Sequence, residues 1–108
     1  MMPYDQELDR RLLNAIAGWG AVRKKAFGGT CHLLNGNMLC GVHKDYLILR
    51  LGPEQAEQAL TRPNVKPFDI MGKAMKGWIM VEKAGLSDQA LQQWLAEARR
   101  FVANLPPK

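Results

Sequence analysis

Asn35-Gly36 constrains this chain's fold more than any other feature. Both central residues of a tight two-residue hairpin turn take positive φ, and Asn followed by Gly does so at little steric cost. The segments on either side read as strands. A two-residue loop pairs Leu34 with Asn37, Leu33 with Met38, His32 with Leu39 and Cys31 with Cys40. Lys44-Asp45 supplies the next turn and pairs Val42 with Leu47, Cys40 with Leu49 and Met38 with Leu51. The two registers agree. They predict one apolar face of Cys31, Leu33, Met38, Cys40, Val42, Leu47, Leu49 and Leu51, to be covered by helices. The other face, with His32, Leu34, Leu39, His43, Tyr46, Ile48 and Arg50, is mixed and suits partial exposure or a partner.

The meander needs helices to cover it, and the flanking sequence provides three. From about Asp5 to Ala17, Leu8, Leu12, Leu13 and Ile16 share one helical face, and Gly18 and Gly20 end the run with Trp19 tucked back onto the core. Val22 to Phe27 can begin the sheet, and Gly28-Gly29 marks a bulge or sharp bend. Gly52-Pro53-Glu54 opens a short helix reaching about Leu60, with proline suited to the first turn and Glu54 to the positive end of the dipole. Lys66 to Met71 reads as a strand with Phe68 and Ile70 on one face, and Pro67 puts it at a sheet edge or at the strand's start. Trp78 to Glu82 is another strand. Ser87 caps a last helix whose stripe is Leu91, Trp94, Leu95, Ala98, Val102 and Leu105, stopped by Pro106-Pro107. The order α-βββ-α-ββ-α, with an antiparallel meander, predicts an α+β two-layer sandwich.

A chain of 108 residues that is 47% hydrophobic suits a single globular domain, 1–108. It lacks an apolar run of membrane-spanning length, and Met1-Met2-Pro3-Tyr4-Asp5 has no signal-peptide character, so a cytoplasmic location is expected and no membrane partner. The net charge of +5 admits an attraction to nucleic acid. The basic residues are scattered, however, and a solvated surface accounts for them. The sharpest candidate for anion or nucleic-acid contact joins Arg23, Lys24 and Lys25 to Lys73 and Lys76. The latter two lie in a loop, Gly72 to Gly77, whose bracketing glycines permit movement.

Tests for chemistry give little. With Cys31 opposite Cys40 in a non-hydrogen-bonded pair, the Cα atoms would approach to about 4.5 Å, the short end of what a disulfide spans. Two reduced thiols packed as small hydrophobes are the favoured reading, and a strained redox pair the alternative. The spacing is not that of a zinc site. His32 and His43 fall on the face away from the cysteines, which argues against a Cys–His nucleophile, and they sit too far apart to share a metal. Neither a Walker loop, a nucleophile elbow nor a paired carboxylate appears. No catalytic residue, metal site or cofactor is expected.

Several spaced blocks resemble the TfoX/Sxy N-terminal domain family. They are Ala26-Phe27-Gly28-Gly29-Thr30, Asn35-Gly36-Asn37-Met38, Gly41-Val42-His43-Lys44-Asp45, Arg50-Leu51-Gly52-Pro53 and Met71-Gly72-Lys73-Ala74-Met75-Lys76-Gly77-Trp78. They occur in order from about Leu12 to Pro107. The resemblance implies an α+β fold of the secretion-chaperone-like type. The family's namesakes are bacterial competence regulators that add a helical C-terminal domain, for which the sequence ending at Lys108 has no counterpart. The resemblance therefore implies a small stand-alone regulatory or protein-interaction module, not an enzyme. Its partner would be an unidentified protein or a second copy of the chain. Nucleic-acid binding through the basic loops and a thiol switch at Cys31 and Cys40 are the alternatives.

Overall fold

The computed structural model describes residues 4–26, 28–69 and 72–108. Helix α1 (Gln6–Ala15) leads into strands β1 (Val22–Ala26), β2 (Gly29–Leu34), β3 (Asn37–His43) and β4 (Tyr46–Arg50). Helix α2 (Pro53–Ala59), strands β5 (Val65–Pro67) and β6 (Trp78–Glu82), a single 3-10 turn at Lys83–Gly85 and helix α3 (Asp88–Val102) follow. All strand pairs are antiparallel, in the order β1-β2-β3-β4-β6-β5. The fold is α+β, with the helices on one face of an open sheet. The bend expected at Gly28-Gly29 is a complete reversal: Gly28 has φ +73° and Ala26 stands opposite Gly29, so Val22–Ala26 is a strand of its own.

Local chemistry sets the helix ends. The Asp5 carboxylate accepts the Leu8 amide at 2.8 Å and caps α1, and the Ser87 hydroxyl accepts the Ala90 amide at 3.1 Å and caps α3. Leu8, Leu12 and Ile16 of the first helical segment meet Leu91, Trp94, Leu95, Ala98 and Val102 of α3 over Cys40, Val42, Leu47, Leu49, Ile79 and Val81 of the sheet. Burying each large aliphatic side chain contributes about 1.5–3 kcal/mol, and this layer is the main source of stability. A smaller cluster, Ile48, Phe68 and Met80, lies on the other face, flanked by Met38, Tyr46 and Trp78. Strand β5 is shorter than expected: Pro67 ends it at the sheet edge, and Phe68 folds over the outer face and is buried. Ile70 and Met71 lie outside the described residues.

The β2–β3 register corrects the one set by the turn alone. Asn35 and Gly36 take φ +54° and +82°, as the hairpin requires, and Leu34–Asn37 and Leu33–Met38 pair as expected. Beyond them His32 pairs with Cys40, Cys31 with Gly41 and Thr30 with Val42. Leu39 is the extra residue of a β-bulge, so Leu39 and Cys40 both enter the core beneath the helices. The β3–β4 register holds for Val42 opposite Leu47 and Cys40 opposite Leu49, but the expected Met38–Leu51 pair is not formed: the bulge turns Met38 to the outer face while Leu51 lies in the core. The bulge reverses the faces of β2. Thr30, His32 and Leu34 face the helices, whereas Cys31, Leu33 and Met38 face outward.

Two causes act together. Seating Leu34 and Leu39 in the core buries two large side chains that the unbulged register would turn outward. Glycine at two positions permits the close strand approach: a Cβ on Gly41 would overlap the Thr30 carbonyl, and one on Gly29 the Val42 carbonyl. The end of the chain braces the hairpin, with the Lys108 amide donating to the Asn35 carbonyl at 2.9 Å and Asn37 Nδ2 to the Pro106 carbonyl at 2.9 Å.

Candidate interaction site

The glycine-bracketed segment before β6 forms one wall of an open cleft of about 440 Å³. Pro53, Ala56, Glu57 and Leu60 of the α2 segment form the opposite wall, Pro67 closes one end, and Ala74, Met75, Lys76, Gly77 and Trp78 complete the lining. Leu60 and Met75, one from each wall, are large apolar side chains left 41% and 38% exposed. Most of its lining residues are thus apolar, with one carboxylate, Glu57, and one ammonium, Lys76, among them.

Backbone bonds hold this wall in place. The Gly77 carbonyl accepts the amides of Leu51 at 2.9 Å and Gly52 at 3.1 Å, while the Met75 amide donates to the Phe68 carbonyl at 3.0 Å. Gly77 is buried, so the expectation of movement at both bracketing glycines fails at this end; Gly72 is exposed. Trp78 is held between the Phe68 ring, 5.6 Å away between centroids, and the Arg50 guanidinium, 5.3 Å from its own centroid. Gly52 has φ +90°, and a Cβ there would come within 2.6 Å of the Phe101 ring, so the α2 wall is seated directly on α3.

The two expected basic clusters are not brought together. Arg23, Lys24 and Lys25 lie on β1 at one edge of the sheet, and Lys73 and Lys76 lie in the β5–β6 connection at the other. Five inter-strand spacings of about 4.8 Å separate the edges by about 24 Å. Arg23 is engaged internally: it donates to Asp9 at 2.7 Å and to the Tyr4 hydroxyl at 3.4 Å, and the Asp9 carboxylate raises its pKa. Lys24 faces outward opposite Cys31, Lys25 is exposed opposite Thr30, and Lys73 and Lys76 are exposed. Elsewhere Arg11 pairs with Asp88, Arg62 with Glu97, Lys66 with Glu82 and Lys83 with Asp5 and Glu7; Arg62 lies over Trp94, Arg99 over Trp19 and Lys66 over Tyr46. Much of the positive charge is spent inside the molecule's own surface.

The cysteines are likewise separated. Cys31 faces outward with Gly41, whereas Cys40 lies in the core opposite His32, so the expected Cys31–Cys40 pairing is replaced by His32–Cys40. Burial raises the pKa of both thiols, Cys40 far more, and burial lowers that of His32, with the nearby Asp9 opposing and Arg23 assisting. This Cys–His neighbour pair is neutral on both sides and buried, the reverse of an activated nucleophile. His43 pairs with Tyr46 on the outer face, so the two histidines lie on opposite sides of the sheet. Among the described residues no group of three or more His, Cys, Asp or Glu is placed to hold a metal ion.

Sequence reasoning passed over Asp9 and the Leu60–Met75 pair. Asp9 is buried and accepts the Thr30 hydroxyl at 3.0 Å as well as Arg23. Its signal was available: Asp9 sits 60° from Leu12 on the helical wheel. Leu60 and Met75 come from segments joined only by the fold.

No helix among the described residues is long and apolar enough to cross a membrane. No curated protein and no solved structure matches the chain. The model of the TfoX N-terminal domain matches residues 14–102, from within α1 to the end of α3 and through both walls of the cleft, and the chain belongs to that family.

Proposed function

We propose that this protein is a cytoplasmic regulatory module that acts by binding another protein, without chemistry of its own, and that the cleft between α2 and the Ala74–Trp78 wall is the contact. The observation that carries this reading is the pair Leu60 and Met75, both large, apolar and exposed on a frame fixed by backbone bonds. Such a cleft takes an apolar anchor residue from a partner, with Glu57 and Lys76 of its lining selecting its polar neighbours. Family membership supports a competence-regulator-like role of this kind.

The test is a photoreactive amino acid placed at Met75 or at Leu60 and illuminated in the native cell, with Gln92 on the far side as control. The expected result is one crosslinked protein, shared by positions 60 and 75 and absent from 92. Introducing Leu60→Glu should remove the crosslink from position 75. Products that are the same from all three positions, a product that is nucleic acid, or no product at all would refute the reading.

A further inference from the structure

Strand β1 offers a second surface, at the opposite sheet edge from the cleft. Its five residues pair with β2 on one side only. Among the described residues no other backbone hydrogen bond reaches it. An open edge presents alternating N–H and C=O groups that an added strand satisfies. Natural edges are commonly shielded by a bulge, an overlying loop or lysines on the strand; Lys24 and Lys25 are such a guard here, one that an acidic partner would neutralise, and Val22 beside them is 57% exposed. On the helix side a hollow of about 480 Å³ lies beside Arg23, lined also by Tyr4, Arg10, Leu13 and the carboxylates Glu7 and Asp9, which are already paired with Lys83 and Arg23; Leu13 is 38% exposed.

We infer that the β1 edge takes up an extended, acidic segment of a partner protein, which adds to the sheet as a seventh strand. Charge decides the occupant. A second copy of β1, placed antiparallel and centred on Lys24, would set Lys24 directly against Lys24, and like charges directly opposite destabilise a pair; Arg23, which would face Lys25, is already paired with Asp9. A partner strand with carboxylates on the outer face, opposite Lys24, and apolar residues on the helix side, toward Leu13, meets the opposite condition. A nucleic-acid strand fits less well. Its phosphates only accept hydrogen bonds, whereas the edge both donates and accepts, and Val22 and Leu13 offer apolar contacts that a phosphate backbone does not use.

The probes are an alternating Glu/Val heptapeptide, its Lys/Val counterpart and a 12-nucleotide single strand, each measured by fluorescence anisotropy. Amide exchange of Val22–Ala26 is followed by NMR. The acidic peptide is expected to bind and to slow exchange on β1, and the basic peptide not to bind. The double variant Lys24→Glu, Lys25→Glu changes exposed side chains only, so its fold is retained, as circular dichroism will show. It should weaken the acidic peptide by about tenfold and admit the basic one. Equal binding of both peptides, binding of neither, or a charge swap that affects only the oligonucleotide would overturn the inference. Leu60→Glu should leave peptide binding unchanged, which separates this edge from the cleft.

Discussion

His32 stands opposite Cys40 across the β2–β3 ladder, both buried and both on the helix side of the sheet. The bulge at Leu39 creates the relationship. Nε2 of His32 has no hydrogen-bond partner among the described residues, and burial lowers its pKa from the ordinary 6.5. The site therefore favours a neutral imidazole.

Stability should fall as the solution is acidified from pH 7 toward pH 5. The unfolded chain takes up a proton at His32 near pH 6.5, before the folded chain does, so each step downward through that range favours unfolding. The slope from one such group is at most about 1.4 kcal/mol per pH unit, and it flattens below the folded-state pKa. Urea unfolding at several pH values measures it. His32→Leu should remove this part of the slope, because it deletes the titrating imidazole together with its unpartnered Nε2.

Mild oxidation should leave the folded protein without an intramolecular disulfide. Cys31 and Cys40 face opposite sides of the sheet, and burial holds both thiols protonated. Intact mass after oxidation should show no loss of two hydrogens. With iodoacetamide, Cys40 should remain unmodified in buffer and react in full once urea unfolds the chain.

Asp9 ties α1 to the first two strands, and its removal should be felt in both. Asp9→Ala leaves the buried Thr30 hydroxyl and the Arg23 guanidinium without their acceptor. Leaving a buried hydroxyl unsatisfied costs about 1–3 kcal/mol; the Arg23 share is smaller, since that side chain is 37% exposed. Asp9→Asn keeps an acceptor for Thr30 and should lose less. Chemical denaturation of the two variants ranks them.

Much of this fold was legible because its signals are local. Asn35-Gly36 announced the hairpin, Ser87 the start of α3, and Pro67 the edge position of β5, each through chemistry within a few residues. The β3–β4 register followed from a second short turn. The bulge was not legible: strand alternation carries no mark of one extra residue, and Leu39 is placed by a core assembled from α1, α3 and β4. Every misplaced side chain on β2, and with it the cysteine pairing, traces to that residue. The candidate site divides in the same way. The segment Gly72 to Gly77 stood out in sequence, but its wall partners Pro53, Ala56 and Leu60 become neighbours only when β4 and β6 pair. The joint basic surface failed because strand order, a non-local property, put its halves on opposite edges.

Gly52 should be among the least replaceable residues near the cleft, for two separable reasons. Its φ of +90° with ψ of 156° lies in a region that is essentially glycine-only, costing a residue with a Cβ about 1–3 kcal/mol. The Cβ would also lie 2.6 Å from two carbons of the Phe101 ring, and overpacking of this kind typically costs about 1–3 kcal/mol. Gly52→Ala should therefore destabilise by about 2–6 kcal/mol, the sum of the two. Pairing it with Phe101→Leu removes the ring but not the backbone strain. The double variant should then lose less than the two single variants added together, with the shortfall measuring the clash alone. Denaturation midpoints of the four chains provide that cycle; strict additivity would mean that the ring yields freely and that backbone conformation alone dictates glycine at position 52.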